Sequence, residues 1–250
     1  MTMKLENLLD NQPGAYRVLP GGAAYCTGIV PYEGFEVVRI QLRSWLPLVE
    51  AYAFIEEYLG SQGRPIQAFC GIEMRVSEQL TLTDWSSFNA PYLAQLRKWG
   101  LLHGDYSGVC RSNIALASFA PQVPSVCAFS FTAPASVEGV SFCLSGTADL
   151  DLEDKIIAEH DTRPAAMKKR VRHTLSVMGS SLSKLGLSWK DTHQLALFHV
   201  CEIPDLWEAS VLGEVGEAIR QGVIVYRGRP PIVGGEVELE ARGNRRGLTL

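Results

Sequence analysis

No apolar run in this chain of 250 residues approaches the ~18 positions that a membrane span needs. The opening segment Met1-Thr-Met-Lys-Leu-Glu-Asn7 lacks the basic-then-apolar pattern of a signal peptide. The expectation is a soluble, cytoplasmic protein with no membrane partner. There is no C-x-x-C pair among the six cysteines, Cys26, Cys70, Cys110, Cys127, Cys143 and Cys201, which stand singly among apolar neighbours. That dispersal suits reduced core thiols and argues against a disulfide framework. Positive charge is in short supply: 23 basic against 27 acidic residues leave a net charge of −4, which offers no general attraction for phosphate backbones. Nucleic acid is therefore not an expected partner. Also missing are G-x-G-x-x-G, a Walker loop, H-E-x-x-H and G-x-S-x-G, so no cofactor and no metal is expected.

What is present is a globular composition, 46% hydrophobic and 20% charged, on a chain long enough to bury roughly 70% of its unfolded surface. Periodicity predicts a strand over 35–42, then a helix with Leu48, Tyr52, Ile55 and Leu59 on one face, ended by Gly60 and Gly63. A strand over 66–74 follows. Thr83-Asp84 can cap a second helix with an inner stripe of Phe88, Tyr92, Leu96 and Trp99, and strands over 109–118 and 125–132 close the half. After Ala133-Pro-Ala-Ser136 the order repeats: a strand over 140–147, a long helix from Thr162 and Pro164 with the stripe Met167, Val171, Leu175, Met178, Leu182 and Leu185, and a strand over 193–200. A helix over 205–219 and strands over 222–227 and 236–242 complete it. Strand–helix–strand crossovers are right-handed, so each half is expected to be a mixed sheet carrying two helices on one face. The bare opposite face implies sheet-to-sheet packing between domains or between chains, hence a homo-oligomer.

The candidate chemistry is sparse. Ser181-Leu-Ser-Lys184 matches S-x-x-K but lies in the long helix without the partner motifs such enzymes need, and is discounted. Asp149, Asp151, Glu153 and Asp154 imitate the start of a calcium loop, yet Asp154 stands where glycine belongs and His160 where glutamate belongs. His199, Cys201 and Glu202 cluster at a strand end, where a buried histidine is the simpler reading than a metal ligand. Lys168-Lys169-Arg170 with Arg172 and His173 reads as a solvated helix face. Arg111, in Gly108-Val-Cys-Arg-Ser-Asn-Ile-Ala115, starts an apolar strand. A guanidinium there either pairs with an internal carboxylate or waits for an anionic ligand, and burial alone favours the pair. Arg229, in Gly228-Arg-Pro-Pro231, sits in a rigid turn where a surface role is the default.

Trp85-Ser-Ser-Phe-Asn-Ala-Pro-Tyr92 is similar to an F-x-x-x-N-x-x-Y helix signature (here F-N-x-x-Y), and Cys110-Arg-Ser-Asn113 to an A-R-S/T strand start. In both segments the chain resembles the Rid (YjgF-like) superfamily. Phe142-Cys-Leu-Ser-Gly-Thr147 resembles the strand ending in S-G-Q, with Thr147 in place of glutamine. Leu185-Gly-Leu-Ser-Trp-Lys-Asp191 resembles the link to the next strand, and Val237-Glu-Leu-Glu-Ala241 the closing V-E-I-E-A. The resemblance implies an α+β chain of two tandem chorismate-mutase-like domains, 1–134 and 135–250, assembling as a trimer. It implies hydrolysis of an imine or enamine, with release of ammonia, on a small carboxylate-bearing substrate, of which an aminomuconate-like compound is one kind. Arg111 matches the arginine that holds the substrate carboxylate and Glu238 the water-handling glutamate, with Cys110, Ser145, Gly146 and Thr147 as substrate contacts; Arg229, near Glu236, either supplies a second anion contact or pairs with that glutamate. Val223 stands where the second half should carry the arginine, and Val126 or Cys127 where the first should carry the glutamate. The halves are therefore expected to pool one site. The alternative is a non-catalytic protein of this fold that binds a small carboxylate; ribonuclease activity, claimed for some relatives, is disfavoured by the acidic charge balance.

Overall fold

Alternating and helical hydrophobic patterns become a mixed α+β fold. A computed structural model describes residues 8–136, 138–204, 206, 213, 215, 216 and 222–250. In chain order the elements are β1 (Leu9–Asn11), β2 (Tyr16–Leu19), β3 (Gly28–Pro31), β4 (Phe35–Pro47), α1 (Leu48–Ser61), β5 (Phe69–Val76), α2 (Leu82–Lys98), β6 (Leu102–His103) and β7 (Tyr106–Ser107). They continue as β8 (Cys110–Leu116), β9 (Ser125–Pro134), β10 (Cys143–Leu144), β11 (Thr147–Ala148), α3 (Pro164–Lys184), β12 (Gln194–His199), β13 (Val223–Arg229), β14 (Glu238–Arg242) and β15 (Arg246–Thr249). The helix expected over 205–219 lies mostly outside the described residues. No helix among the described residues is long and apolar enough to cross a membrane.

One sheet runs β1-β2-β3-β10-β14-β12-β13-β8-β5-β9-β4-β15, with β11 beside β14. Two stretches of it follow the same rule. In β8-β5-β9-β4, β5 is parallel to β8 and antiparallel to β9, which is antiparallel to β4. In β13-β12-β14-β10, β12 is parallel to β13 and antiparallel to β14, which is antiparallel to β10. They join where Gly228 and Arg229 of β13 pair with Leu116 and Ala115 of β8. The termini cross over: β3 pairs with β10, and β15 with β4.

Helices α1 and α2 cover β4, β5 and β9 through Ile55, Leu59, Leu96 and Trp99 against Ile40, Phe69, Ile72 and Phe129. Helix α3 packs Met167, Val171, Leu175 and Met178 on Leu195, Leu197 and Leu239. The face of the first stretch turned away from its helices is not bare. Tyr16, Val18, Cys26 and Ile29 cover Val37, Cys70 and Cys110, and an ion network crosses beside them. Arg39 donates to both oxygens of Glu73 at 2.6 and 2.7 Å, Arg242 donates to the same pair at 3.3 and 2.8 Å, and Arg242 also binds Glu240. Burial pushes the Glu73 carboxyl up, but Arg242 and Arg39 prevail and hold it well below the usual carboxylate range.

Three sequence expectations change. The α2 cap is Thr81, not Thr83-Asp84: its hydroxyl accepts from Asp84 N at 3.2 Å, so Asp84 is the third helical residue. The strand over 140–147 breaks into β10 and β11, because Ser145 and Gly146 direct their hydrogen bonds elsewhere, as described below. Arg170 is not on a solvated face. It is fully buried, ion-paired with Asp149, and donates to the Ala158 carbonyl at 2.9 Å, which ties the 149–161 loop to α3.

Candidate active site

Trp85, Asn89 and Tyr92 recur at spacings of four and three and so share one face of α2. That face meets Arg111 at the start of β8. The guanidinium lies 5.1 Å from the ring centroids of both Trp85 and Tyr92, and its Nη1 donates to Asn89 Oδ1 at 2.7 Å. Arg111 is only 5% exposed, yet it forms no ion pair with a carboxylate among the described residues. Burial lowers its proton affinity, offset in part by Tyr92, Tyr25 and Glu238. A buried cation held by π-faces and one amide oxygen keeps most of its donor fork for something else.

The broken strand supplies the opposite wall. Ser145 Oγ accepts from Arg111 N at 2.9 Å and donates to the Cys26 carbonyl, and Gly146 N donates to the Arg111 carbonyl at 3.0 Å. The second half of the chain thus clasps the strand that carries the cation. A Cβ at 146 would collide with Glu238 Oε1, so any larger residue there must push that carboxyl aside.

Glu238 and Glu240 lie on the same face of β14, as the strand's period of two dictates, and are 3% and 5% exposed. Ser112 Oγ donates to Glu240 in a short contact and lies 3.5 Å from Glu238 Oε1. Burial, and then the neighbouring Glu240, push the Glu238 carboxyl well above its usual range. Arg75, 4.0 Å from Glu240 Oε1, balances the second carboxylate.

Arg111, Ser145, Gly146, Thr147 and Glu238 line one cavity of about 860 Å³, along with Tyr25, Trp85 and one face of α3. Its walls come from both sides of the 134/135 boundary. Two expected contacts are not brought there. The Cys110 side chain points to the other face of β8, where its Sγ donates to the Cys143 carbonyl at 3.3 Å and sits 3.5 Å from Cys26 Sγ. Arg229 is occupied by Glu236, to which its Nε donates at 2.8 Å, and it does not line the cavity. His199, the strand-end histidine, bonds through Nδ1 with the Cys201 carbonyl at 2.7 Å.

Sequence reasoning missed Glu240, Ser112 and Tyr25 as parts of this site. The available signal was Val237-Glu-Leu-Glu-Ala241 itself, in which two glutamates on one strand face flank a buried leucine. Ser181 and Lys184, discounted in the sequence, both line the cavity; Ser181 Oγ donates to the Val177 carbonyl at 3.1 Å, as a helix-bound hydroxyl and not a nucleophile.

Comparison with known proteins bears on this geometry. A curated relative, the 2-amino-5-chloromuconate deaminase of Comamonas testosteroni, is 31% identical over 251 residues, covering 95% of this chain and 97% of its own. Among solved structures, the Rid-family protein YyfB of Yersinia pestis matches at 14% identity with a TM-score of 0.33, covering 42% of this chain and 78% of its own. A chorismatase matches at 13% identity with a TM-score of 0.47, covering 89% and 78%. At those TM-scores neither bears on function. The sequence profile described as 2-aminomuconate deaminase CnbZ matches residues 8–248, and the chain belongs to that family.

Proposed function

We propose that the cavity hydrolyses the enamine or imine form of an aminomuconate-like acid to the 2-oxo acid and ammonia. The observation that carries this reading is Arg111, a buried guanidinium without a carboxylate partner among the described residues, facing the same cavity as Glu238, whose carboxyl burial pushes well above its usual range. The family and the curated relative's name supply the substrate class.

The enamine takes a proton on carbon from solvent and gives one up from nitrogen, becoming the neutral imine, C=NH. Arg111 grips the carboxylate next to that carbon in a two-pronged contact and fixes its orientation. Glu238 protonates the nitrogen, water adds to the carbon, and the Glu238 carboxylate recovers a proton from the added water. Glu238 then passes a proton to nitrogen, the C–N bond breaks to release ammonia, and the hydroxyl proton returns to Glu238 as the C=O bond forms. Water and imine become ketone and ammonia, with no nucleophilic side chain needed. Ser145, Gly146 and Thr147 form the wall against which the reacting end lies.

The repeated strand order supports reading residues 1–134 and 135–250 as two like-folded units that share this one site; a trimer of such chains is the assembly that the Rid resemblance implies. Ammonia release from 2-aminomuconate, and from enzymatically generated 2-imino acids, tests the chemistry. Arg111→Lys should lower kcat/KM about 100-fold by losing the fork geometry. Turnover that is indifferent to Arg111, or carboxylate binding with no turnover in the wild type, would overturn the reading.

A further inference from the structure

Helix α3 offers the cavity more than its packing requires. Its apolar stripe is buried on the sheet, while His173, Ser176, Ser180 and Lys184, at spacings of three, four and four, form a second stripe that lines the cavity. From His173 to Lys184 the helix runs ~16 Å at ~1.5 Å per residue, long enough to lie alongside an extended diacid. Ser176 and Ser180 direct no hydroxyl to the helix backbone, unlike Ser181 and Ser183.

The charges along this wall are unbalanced. Lys184, like Arg111, has no carboxylate partner among the described residues. The acids that line the same space do not answer these two cations. Asp151 Oδ1 accepts from the Glu153 and Lys155 amides of its own loop at 2.8 and 3.0 Å, Asp154 is exposed at the rim, and Glu238 faces Glu240 and Ser112. His173 Nε2, 2.6 Å from the Leu150 carbonyl, must donate to it, since a carbonyl only accepts. Two cations on the wall of one cavity, neither with a carboxylate partner among the described residues, suit a ligand that carries two anions.

We propose that Lys184, with Ser180 beside it, holds the distal carboxylate of an extended unsaturated dicarboxylate whose proximal carboxylate sits on Arg111, so that the cavity selects diacids over mono-acids. This rests on the reading of Arg111 given above. Lys184 is therefore a specificity residue that touches the substrate far from the reacting carbon.

Two unreactive probes separate the ends: trans,trans-muconate carries both carboxylates, and sorbate replaces one with a methyl group. By titration calorimetry the wild type should bind muconate about tenfold more tightly than sorbate, as one charge-assisted contact implies. Lys184→Gln should bring that ratio to within about twofold, and Lys184→Arg should keep it. Lys184 is exposed at the end of α3, and an unchanged melting temperature confirms that the variants fold. A muconate-to-sorbate ratio unaltered in Lys184→Gln, or no preference in the wild type, overturns the subsite. Arg111→Gln should weaken both ligands alike. Binding of both ligands undiminished in Arg111→Gln overturns instead the clamp on which the proposal rests.

Discussion

Glu238 is where function and stability oppose each other. Its carboxyl is raised by burial and by Glu240, so the folded state holds a proton that the unfolded chain releases near the ordinary glutamate range. Between those two values the unfolded state binds fewer protons, and stability falls as pH rises. Glu238→Gln removes that fall. The variant should melt higher than wild type at pH 8 and with little difference at pH 4, by scanning calorimetry. The same variant cannot return a proton to the leaving nitrogen, and its kcat should drop by about two to four orders of magnitude. Wild-type activity should also decline on the alkaline side, as the carboxyl loses its proton. Gly146→Ala should displace Glu238 by direct collision, lowering kcat while leaving Arg111 and its partners Asn89, Trp85 and Tyr92 in place.

At the scale of elements, the site depends on secondary structure being regular in α2 and α3 and irregular between β10 and β11. The helices were legible because their apolar stripes repeat over about four turns in α3, from Met167 to Leu182, and about three in α2, from Phe88 to Trp99. The break at Ser145 and Gly146 was not legible, since it exists to serve Arg111, 34 positions away for the Ser145 bond. Nor were β1 to β3 and β15, segments of three or four residues that are too short to show a period, two of which, β3 and β15, take partners far along the chain. Arg170 misled for a related reason. Interleaved charge on a helix looks solvated, and only the fold reveals Asp149 as its partner. Arg170→Met leaves that carboxylate buried and unpaired, which should cost about 3–5 kcal/mol in urea denaturation. It should also loosen the Leu150–Asp154 wall of the cavity, read as faster amide exchange in that loop. Arg111 itself was legible as a residue out of place in an apolar strand, but whether it was paired required the surroundings.

Across the whole molecule, the two stretches with the same strand order are bound together by more than one strand junction. The first strands of the chain extend the sheet of the second half, the last strand extends that of the first, and Glu73 with Arg39 reaches Arg242 and Glu240 through buried ion pairs. Residues 1–134 and 135–250 expressed apart should therefore fail to fold independently, and the intact chain should melt in a single transition. Glu73→Gln strands two partly buried guanidiniums and should cost up to about 3 kcal/mol at neutral pH. Because the Glu73 carboxyl is held low in the folded state, its contribution is present above the ordinary glutamate range and is lost as pH falls through the lower folded value. The variant's deficit should therefore shrink toward pH 2. Holding the halves in register matters for chemistry, because the clamp stands on β8 and the proton carrier on β14. The most direct test is a crystal structure of the wild-type protein soaked with trans,trans-muconate. One carboxylate should lie within about 3 Å of two guanidinium nitrogens of Arg111, in the cavity shared with Glu238. A diacid bound elsewhere, or Arg111 turned away to an internal carboxylate, would contradict the account.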